Sequence, residues 1–194
     1  MAQNSLGPQR LVVIGGSAGS LEIVLSLVAA LPPLPHAAVV VVLHRKQSAD
    51  SVLTGLLMSR TRLPVKEVED KEPLMRGHIY LAPPDYHLLL ENKEQFSLDD
   101  SEKVHHSRPS IDVTFESAVQ VFGAGTIGIL LSGANADGAA GLQAIRASGG
   151  TTLVQDPATA EVYYMPQQAL LLDAGHRVVP GAQLPQVLLE HLQP

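Results

Sequence analysis

No cysteine occurs among the 194 residues. That excludes a disulfide framework, a thiolate zinc site and a cysteine nucleophile, and it fits a reducing cytoplasm. Aromatic residues make up only 4% of the chain, too few for the base-stacking platforms of single-stranded nucleic-acid binders. Positive charge is also short. Thirteen Lys and Arg face 19 Asp and Glu, a formal net charge of -6, so no nucleic acid is expected as partner. No apolar run approaches the ~20 residues that span a bilayer, and the first ten residues lack an apolar signal-peptide core, so no membrane insertion is expected. What remains is a globular composition, 45% hydrophobic and 16% charged. A chain of this length buries a sizeable core without metal or disulfide staples. The organisation expected is a tail over residues 1–10 and one domain over 11–194.

Leu11–Ile14 is a short apolar run without alternation, as in a strand buried on both faces. Leu21–Leu31 carries apolar residues at helical spacing and stops at Pro32-Pro33. Ala37–Leu43 is a second continuous apolar run, Ser51–Ser59 reads as a helix and Pro64–Val68 as a brief strand. This βαβαβ order predicts a doubly wound, mostly parallel α/β sheet with helices on both faces. His78–Ala82, His87–Leu90 and Gln95–Leu98 follow as short strands close together, expected to form an antiparallel hairpin or meander at one edge. Helical spacing resumes at Val113–Phe122. After it come strand Thr126–Leu131, the turn Ser132–Gly138, helix Ala139–Ala147 and strand Thr151–Val154. A helix near Pro166–Leu172, a strand at Arg177–Val179 and a helix at Leu184–Leu192 close the chain.

The first strand runs into "GGSAGS", residues 15–20. The dinucleotide fingerprint G-x-G-x-x-G fails, because serine falls at positions 17 and 20. The Walker pattern fails for want of a Lys-Ser or Lys-Thr. G-x-S-x-G fits as Gly15 to Gly19, with Ser17 on a strand-to-helix turn and backbone N–H groups at the helix start available to an oxyanion. A serine nucleophile needs a base, and the base an orienting group. In a doubly wound sheet such groups collect at the carboxyl ends of strands near the switch point. His44 ends the second strand, and Asp137 lies in "SGANADGAAG" after the strand that stops at Leu131. If that strand flanks the first on its other side, the three loops are neighbours. Each residue also has a structural alternative. Ser17 and Asp137 are both good helix caps, and His44 is a polar strand stop. His105-His106 have no spaced partner resembling a metal site, so neither metal nor cofactor is expected. His36, His78, His87, His176 and His191 read as surface or packing residues.

"LVVIGGSAGS", "VVVVLHRK", "VKEVEDKEPLMRGHIYLAPPDYHLLL", "HSRPSIDVTFESAV", "GILLSGANADGAAGL" and "YYMPQQAL" together resemble the catalytic domain of the chemotaxis protein-glutamate methylesterases, over nearly the whole chain. The resemblance implies a cytoplasmic serine hydrolase that removes methyl esters from glutamate side chains on the methylated cytoplasmic helices of chemoreceptors, with deamidation of receptor glutamines in some members. It maps the catalytic serine, histidine and aspartate onto Ser17, His44 and Asp137. Ala18, Ala134 and Arg108 are expected on the oxyanion and substrate rim, with Ser110 and Asp112 beside them or, for Ser110, as a helix cap. The family usually has methionine at Ala134, threonine and glycine at Ala18 and Ser20, and Met-Pro at Arg45-Lys46. Arg45 and Lys46 are expected to dock an acidic partner from the rim, extended by Arg60 and Arg62. Family members usually carry an N-terminal receiver domain. Only about ten residues precede the first strand here, so no such domain and no need for a phosphodonor are expected. Two other readings compete: a nucleotide-binding domain, and a non-catalytic regulatory module of the same fold in another signalling pathway.

Overall fold

A computed structural model of the chain describes residues 7–45 and 50–193. The apolar runs form the centre of a sheet. They are β1 (Arg10–Gly16), β2 (Ala37–Leu43) and β7 (Thr126–Leu130). Around them lie β3 (Val65–Glu67), β4 (Ile79–Leu81), β8 (Thr151–Gln155) and β9 (Arg177–Val179). The seven strands are all parallel, in the order β3-β4-β2-β1-β7-β8-β9. β1 is thus flanked by β2 on one side and β7 on the other, and the winding reverses between β1 and β7.

A strand buried on both faces sends alternate residues to opposite sides. Val12 and Ile14 of β1 join one core with α1 (Leu21–Ala30), α2 (Asp50–Met58) and α6 (Leu184–Leu192). Leu11 and Val13 join the other, with α3 (Ile111–Phe122), α4 (Ala139–Ala147) and α5 (Tyr164–Leu172). Each fully buried aliphatic side chain contributes about 1.5–3 kcal/mol of burial, so these two layers dominate the stability.

The short strands differ from expectation in their partners. Ile79–Leu81 leaves the expected meander and joins the parallel sheet between β2 and β3. Only β5 (His87–Asn92) and β6 (Gln95–Asp99) form an antiparallel pair, as a two-stranded sheet of their own. That pair docks on α3. Thr114 Oγ1 donates to Leu88 O at 2.9 Å, and Ser117 Oγ accepts from Leu90 N. The hairpin, with Leu88, Leu90 and Phe96 in the core, holds α3 from the side away from the sheet.

α3 and α4 cross closely because residue 141 has no side chain. A Cβ there would lie 2.5 Å from Phe115 Cβ and 3.0 Å from Asp112 O. The approach also buries Asp112, whose Oδ1 accepts from Gly141 N at 2.7 Å. Burial raises the Asp112 carboxyl to about 6. The Gly141 N–H opposes that rise and the neighbouring Asp137 carboxylate adds to it.

Two predictions follow from this crossing. Gly141→Ala should cost about 1–3 kcal/mol through overpacking, measured by urea unfolding; an unchanged midpoint would show that the helices separate freely. The second concerns pH. The folded pKa of Asp112 exceeds the unfolded value, so between about pH 4 and 6 the native state holds a proton that the unfolded chain has released, and this group's contribution to stability falls as pH rises through that window. Asp112→Asn keeps an oxygen acceptor for Gly141 N without the charge. Its Tm relative to the parent should therefore climb by several degrees from pH 4 to pH 7. Parallel Tm curves for the two proteins would contradict this.

Candidate active site

The parallel register sets the site. Gly16 is the last β1 residue paired with β2, opposite Leu43, and His44 N donates to Gly16 O at 3.2 Å. Ser17 and His44 thus leave adjacent strands at the same level. On the other flank, Ser17 N donates to Ser132 O at 2.9 Å, which ties the glycine turn to the loop after β7. Ser17 is half-buried and its hydroxyl makes no hydrogen bond among the described residues. It does not cap α1. The cap position belongs to Ser20, whose hydroxyl donates instead to Ser17 O at 2.7 Å.

Asp137 is fully buried. It does not cap the helix that follows it, since Gly138 takes that position at φ 95. Its carboxylate reaches the amino end of α3. Oδ1 accepts from Ser110 Oγ at 2.8 Å and Asp112 N at 2.9 Å, and Oδ2 accepts from Ile111 N at 2.7 Å. The fourth bond joins Oδ2 to His44 Nε2 at 2.7 Å. Burial pushes the Asp137 pKa up. The hydrogen bonds from His44, from the Asp112 and Ile111 amides and from Ser110 more than reverse this, leaving it below the ordinary carboxylate value. The helix amino terminus favours the same ionised form. Gly15 makes the approach of α3 possible, because a Cβ there would collide with the Ile111 side chain.

An ionised carboxylate can only accept, so His44 Nε2 carries the proton and Nδ1 presents its lone pair. Ser107 Oγ lies 3.3 Å from Nδ1. Asn135 Nδ2 donates to the same hydroxyl at 3.2 Å, and the Ser107 proton has two acceptors within reach, His44 Nδ1 and, at 3.4 Å, His105 O. Ser107 and Asn135 were not singled out from the sequence, although both lie in the quoted "HSRPSID" and "SGANADG" segments. His87 was read as packing. It is buried, accepts from Ser110 N at 3.1 Å on Nδ1 and donates from Nε2 to Glu102 O at 2.9 Å, so it fixes the start of α3. Ser110 is both the α3 cap and an Asp137 donor.

The rim residues separate. Ala18 and Ala134 are exposed, and neither backbone N–H is hydrogen-bonded among the described residues. Arg108 lines a cleft of about 590 Å³ that opens beside His44. Arg45 lines the same cleft but is not a free docking cation. Its side chain is 7% exposed, with the guanidinium on Glu67 Oε2 at 2.6 Å and Ala82 O at 3.1 Å. Lys46 lies outside the described residues, and Arg60 and Arg62 do not line the cleft. His105, expected to have no spaced partner resembling a metal site, lies 3.2 Å from Asp112 Oδ2. His105, Asp112 and Asp137 offer oxygens and a nitrogen within 4.8 Å of one another, the one grouping among the described residues with metal-like proximity. The Asp137 oxygens there already serve four donors.

A sequence model of the CheB methylesterase family matches residues 12–188. A relative in Leptospira interrogans is 42% identical over 159 residues, 82% of each chain. Relatives named protein-glutamate methylesterase/protein-glutamine glutaminase include one from Thiobacillus denitrificans, 35% identical over 94% of this chain and 52% of its own length. Another, from Anaeromyxobacter dehalogenans, is 37% identical over 92% of this chain and 52% of its own. The chain therefore spans about half the length of these two. The crystal structure of the Thermotoga maritima CheB methylesterase catalytic domain superposes with a TM-score of 0.87 at 33% identity, covering 94% of this chain and 98% of that one. On this sequence match and this fold, the chain belongs to the CheB methylesterase family.

Proposed function

We propose that the chain is a protein-glutamate methylesterase acting in the cytoplasm on the methylated helices of chemoreceptors, with Ser17 as nucleophile, His44 as base and Asp137 as orienting carboxylate. The observation that carries this reading is the buried His44–Asp137 bond, which leaves Nδ1 as the proton-accepting nitrogen on the side open to the cleft. Ser17 Oγ bonds to the ester carbonyl carbon as its proton passes to His44 Nδ1. The oxyanion is met by the unengaged N–H groups of Ala18 and Ala134. The C–OCH₃ bond then breaks and methanol leaves with the proton from the imidazolium. Water attacks the acyl-enzyme with His44 again as base. It releases the glutamate carboxylate and restores Ser17. Attack of Ser17 on a glutamine amide would give ammonia by the same route.

One observation favours a second nucleophile. In the resting geometry Ser107, not Ser17, is bonded to Nδ1. Ser107 is already held by Asn135 and sits on no strand-to-helix turn, whereas the Ser17 hydroxyl is uncommitted beside two unengaged amides. Ser17 therefore displaces Ser107 from Nδ1 when substrate arrives.

Methanol release from a methylated receptor fragment separates these readings. Ser17→Ala and His44→Ala should each lose roughly 10³-fold or more in kcat with the fold retained. Ser107→Ala removes a neutral hydrogen bond of about 1 kcal/mol and should change kcat by under roughly tenfold. The opposite ranking of Ser17→Ala and Ser107→Ala would make Ser107 the nucleophile. Full activity in both variants would rule out both serines as nucleophile, and no activity in the parent would leave a non-catalytic module.

Asp137→Asn should fail in both activity and stability. An amide nitrogen would face either Ser110 Oγ and Asp112 N or His44 and Ile111 N, donor against donor, at a cost of about 1–3 kcal/mol for the orphaned groups. Because the folded pKa of Asp137 is depressed, its stabilisation is present above the ordinary carboxylate value and is lost as pH falls through the lower folded pKa. The stability gap between parent and Asp137→Asn should accordingly be widest near pH 7 and narrow in acid. A gap independent of pH would show that the Asp137 charge contributes nothing.

A further inference from the structure

The protein is acidic overall, with a formal charge of -6, yet the cleft beside His44 has Arg45, Lys103, His106 and Arg108 on its walls against one acid, Asp85. Arg45 forms the closed back of this cleft, its charge matched by Glu67. The other three differ. Arg108 is gripped through Nη1 by the carbonyls of Asp100 and Ser101, so its guanidinium is fixed in place, and its buried Nε has no partner among the described residues. Lys103 is exposed and enters no ion pair among the described residues, and the exposed His106 makes no hydrogen bond there. Asp99 lies close enough for Arg108 to lower its carboxyl pKa, though mainly the Ser101 amide and hydroxyl do so.

The segment that carries them is built to display them. Val104 and Ser107 exchange backbone hydrogen bonds at 3.2 and 2.9 Å, with His105 and His106 between them at φ 49 and 62. Two successive positive φ values describe a tight turn of the kind usually made with Asn-Gly, and non-glycine residues hold it only where the surroundings fix them. Here His105 is pinned to Asp112 Oδ2, and Asn135 Nδ2 holds His105 O at 3.2 Å. One face of the turn is thus anchored in the protein. It places Ser107 on the base while Lys103 and His106 line the cleft.

We propose that this cleft is a carboxylate-binding subsite, in which Lys103, His106 and Arg108 take free acidic side chains of the substrate protein that flank the glutamyl ester at His44. The inference rests on the esterase reading for the position of the ester. The chemistry of the cleft selects the ligand class. Lys103 and His106 engage no acceptor among the described residues, and Arg108 keeps its guanidinium fixed beside them. Such cationic and N–H donors suit a carboxylate, whereas an acidic segment is repelled by the rest of this acidic protein. Selectivity then comes from docking, and the chemical step is shared by all esters.

The test uses two peptides, each with one glutamate γ-methyl ester. One has flanking glutamates, and in the other they are alanines. The parent protein should show about tenfold higher kcat/KM for the acidic peptide at low salt, through KM, and the advantage should shrink at 0.3 M NaCl as the charges are screened. Lys103→Gln combined with His106→Gln should reduce the preference to about twofold or less. Lys71→Gln, which removes a cation paired with Glu91 away from the cleft, should keep it. Equal kcat/KM for the two peptides in the parent, or a preference that survives the double substitution, overturns the subsite. A binding titration of the same peptides on Ser17→Ala separates the two proposals. If no methanol is released from either peptide, the esterase reading fails. Tighter, salt-sensitive binding of the acidic peptide that is lost in the double variant would still support the subsite, and equal binding of both would overturn it.

Discussion

Removing a carboxylate from water is costly unless donors replace the lost solvent, and Asp137 is fully buried. Four donors meet its two oxygens: the His44 ring, the Ser110 hydroxyl and the amides of Ile111 and Asp112. This requirement fixes much else. The amino end of α3 must lie against the turn after β7, so residue 15 has no side chain and Ile111 rests over the end of β1. Ser110 must hold its hydroxyl toward Asp137, and His87 secures its amide from the hairpin. The two-stranded sheet, which supplies no strand to the main sheet, thereby takes part in setting the charge state of the site.

The sheet order explains why three separate loops converge. β2, β1 and β7 are adjacent, and the chain leaves β1 toward one side and β7 toward the other. At such a reversal the loops diverge and leave a crevice at the carboxyl edge. Ser17, His44 and Asp137 come from the three strand ends around that crevice. α3 arrives there as well, and its first-turn amides add to the His44 hydrogen bond in holding the aspartate ionised. In the proposed acyl transfer a cation at this point would lie beside the imidazolium, whereas amide dipoles stabilise the carboxylate without that repulsion.

Continuous apolar runs in the sequence were sufficient to locate the central strands and the loops that end them, because a strand buried on both faces leaves that pattern locally. The neighbouring placement of the loops after β1, β2 and β7 could be argued from chain order alone. Partners chosen over long sequence distances were not legible. Ile79–Leu81 is only three residues long, and nothing local distinguishes a place in a meander from a place beside β2. Arg45 follows His44 and reads as a rim residue, yet Glu67, 22 positions later, draws it inward. Asp137 precedes Gly-Ala-Ala and reads as a cap for α4, but its carboxylate accepts from the amino end of α3 instead, with donors 25 to 27 residues earlier. Ser107 had no readable role at all, since its contact with His44 depends on a turn at positive φ that two histidines would not suggest.

The orientation of His44 has a consequence for reach. With Nε2 committed to Asp137, the proposed proton transfer uses Nδ1, the nitrogen nearer the backbone of β2. Its partner must then come from close by. Ser17 leaves the adjacent strand at the same level, and parallel strands lie only ~4.8 Å apart. Beside Ser17 the small residues Ala18 and Ala134 are exposed, while Gly19 packs where a Cβ would strike Glu161 and Ser132. In the resting geometry the Ser107 hydroxyl, held by Asn135, lies against Nδ1. A neutral hydroxyl is suited to that place. It can meet Nδ1 without protonating it, and in the proposed mechanism Ser17 displaces it by exchanging one neutral hydrogen bond for another.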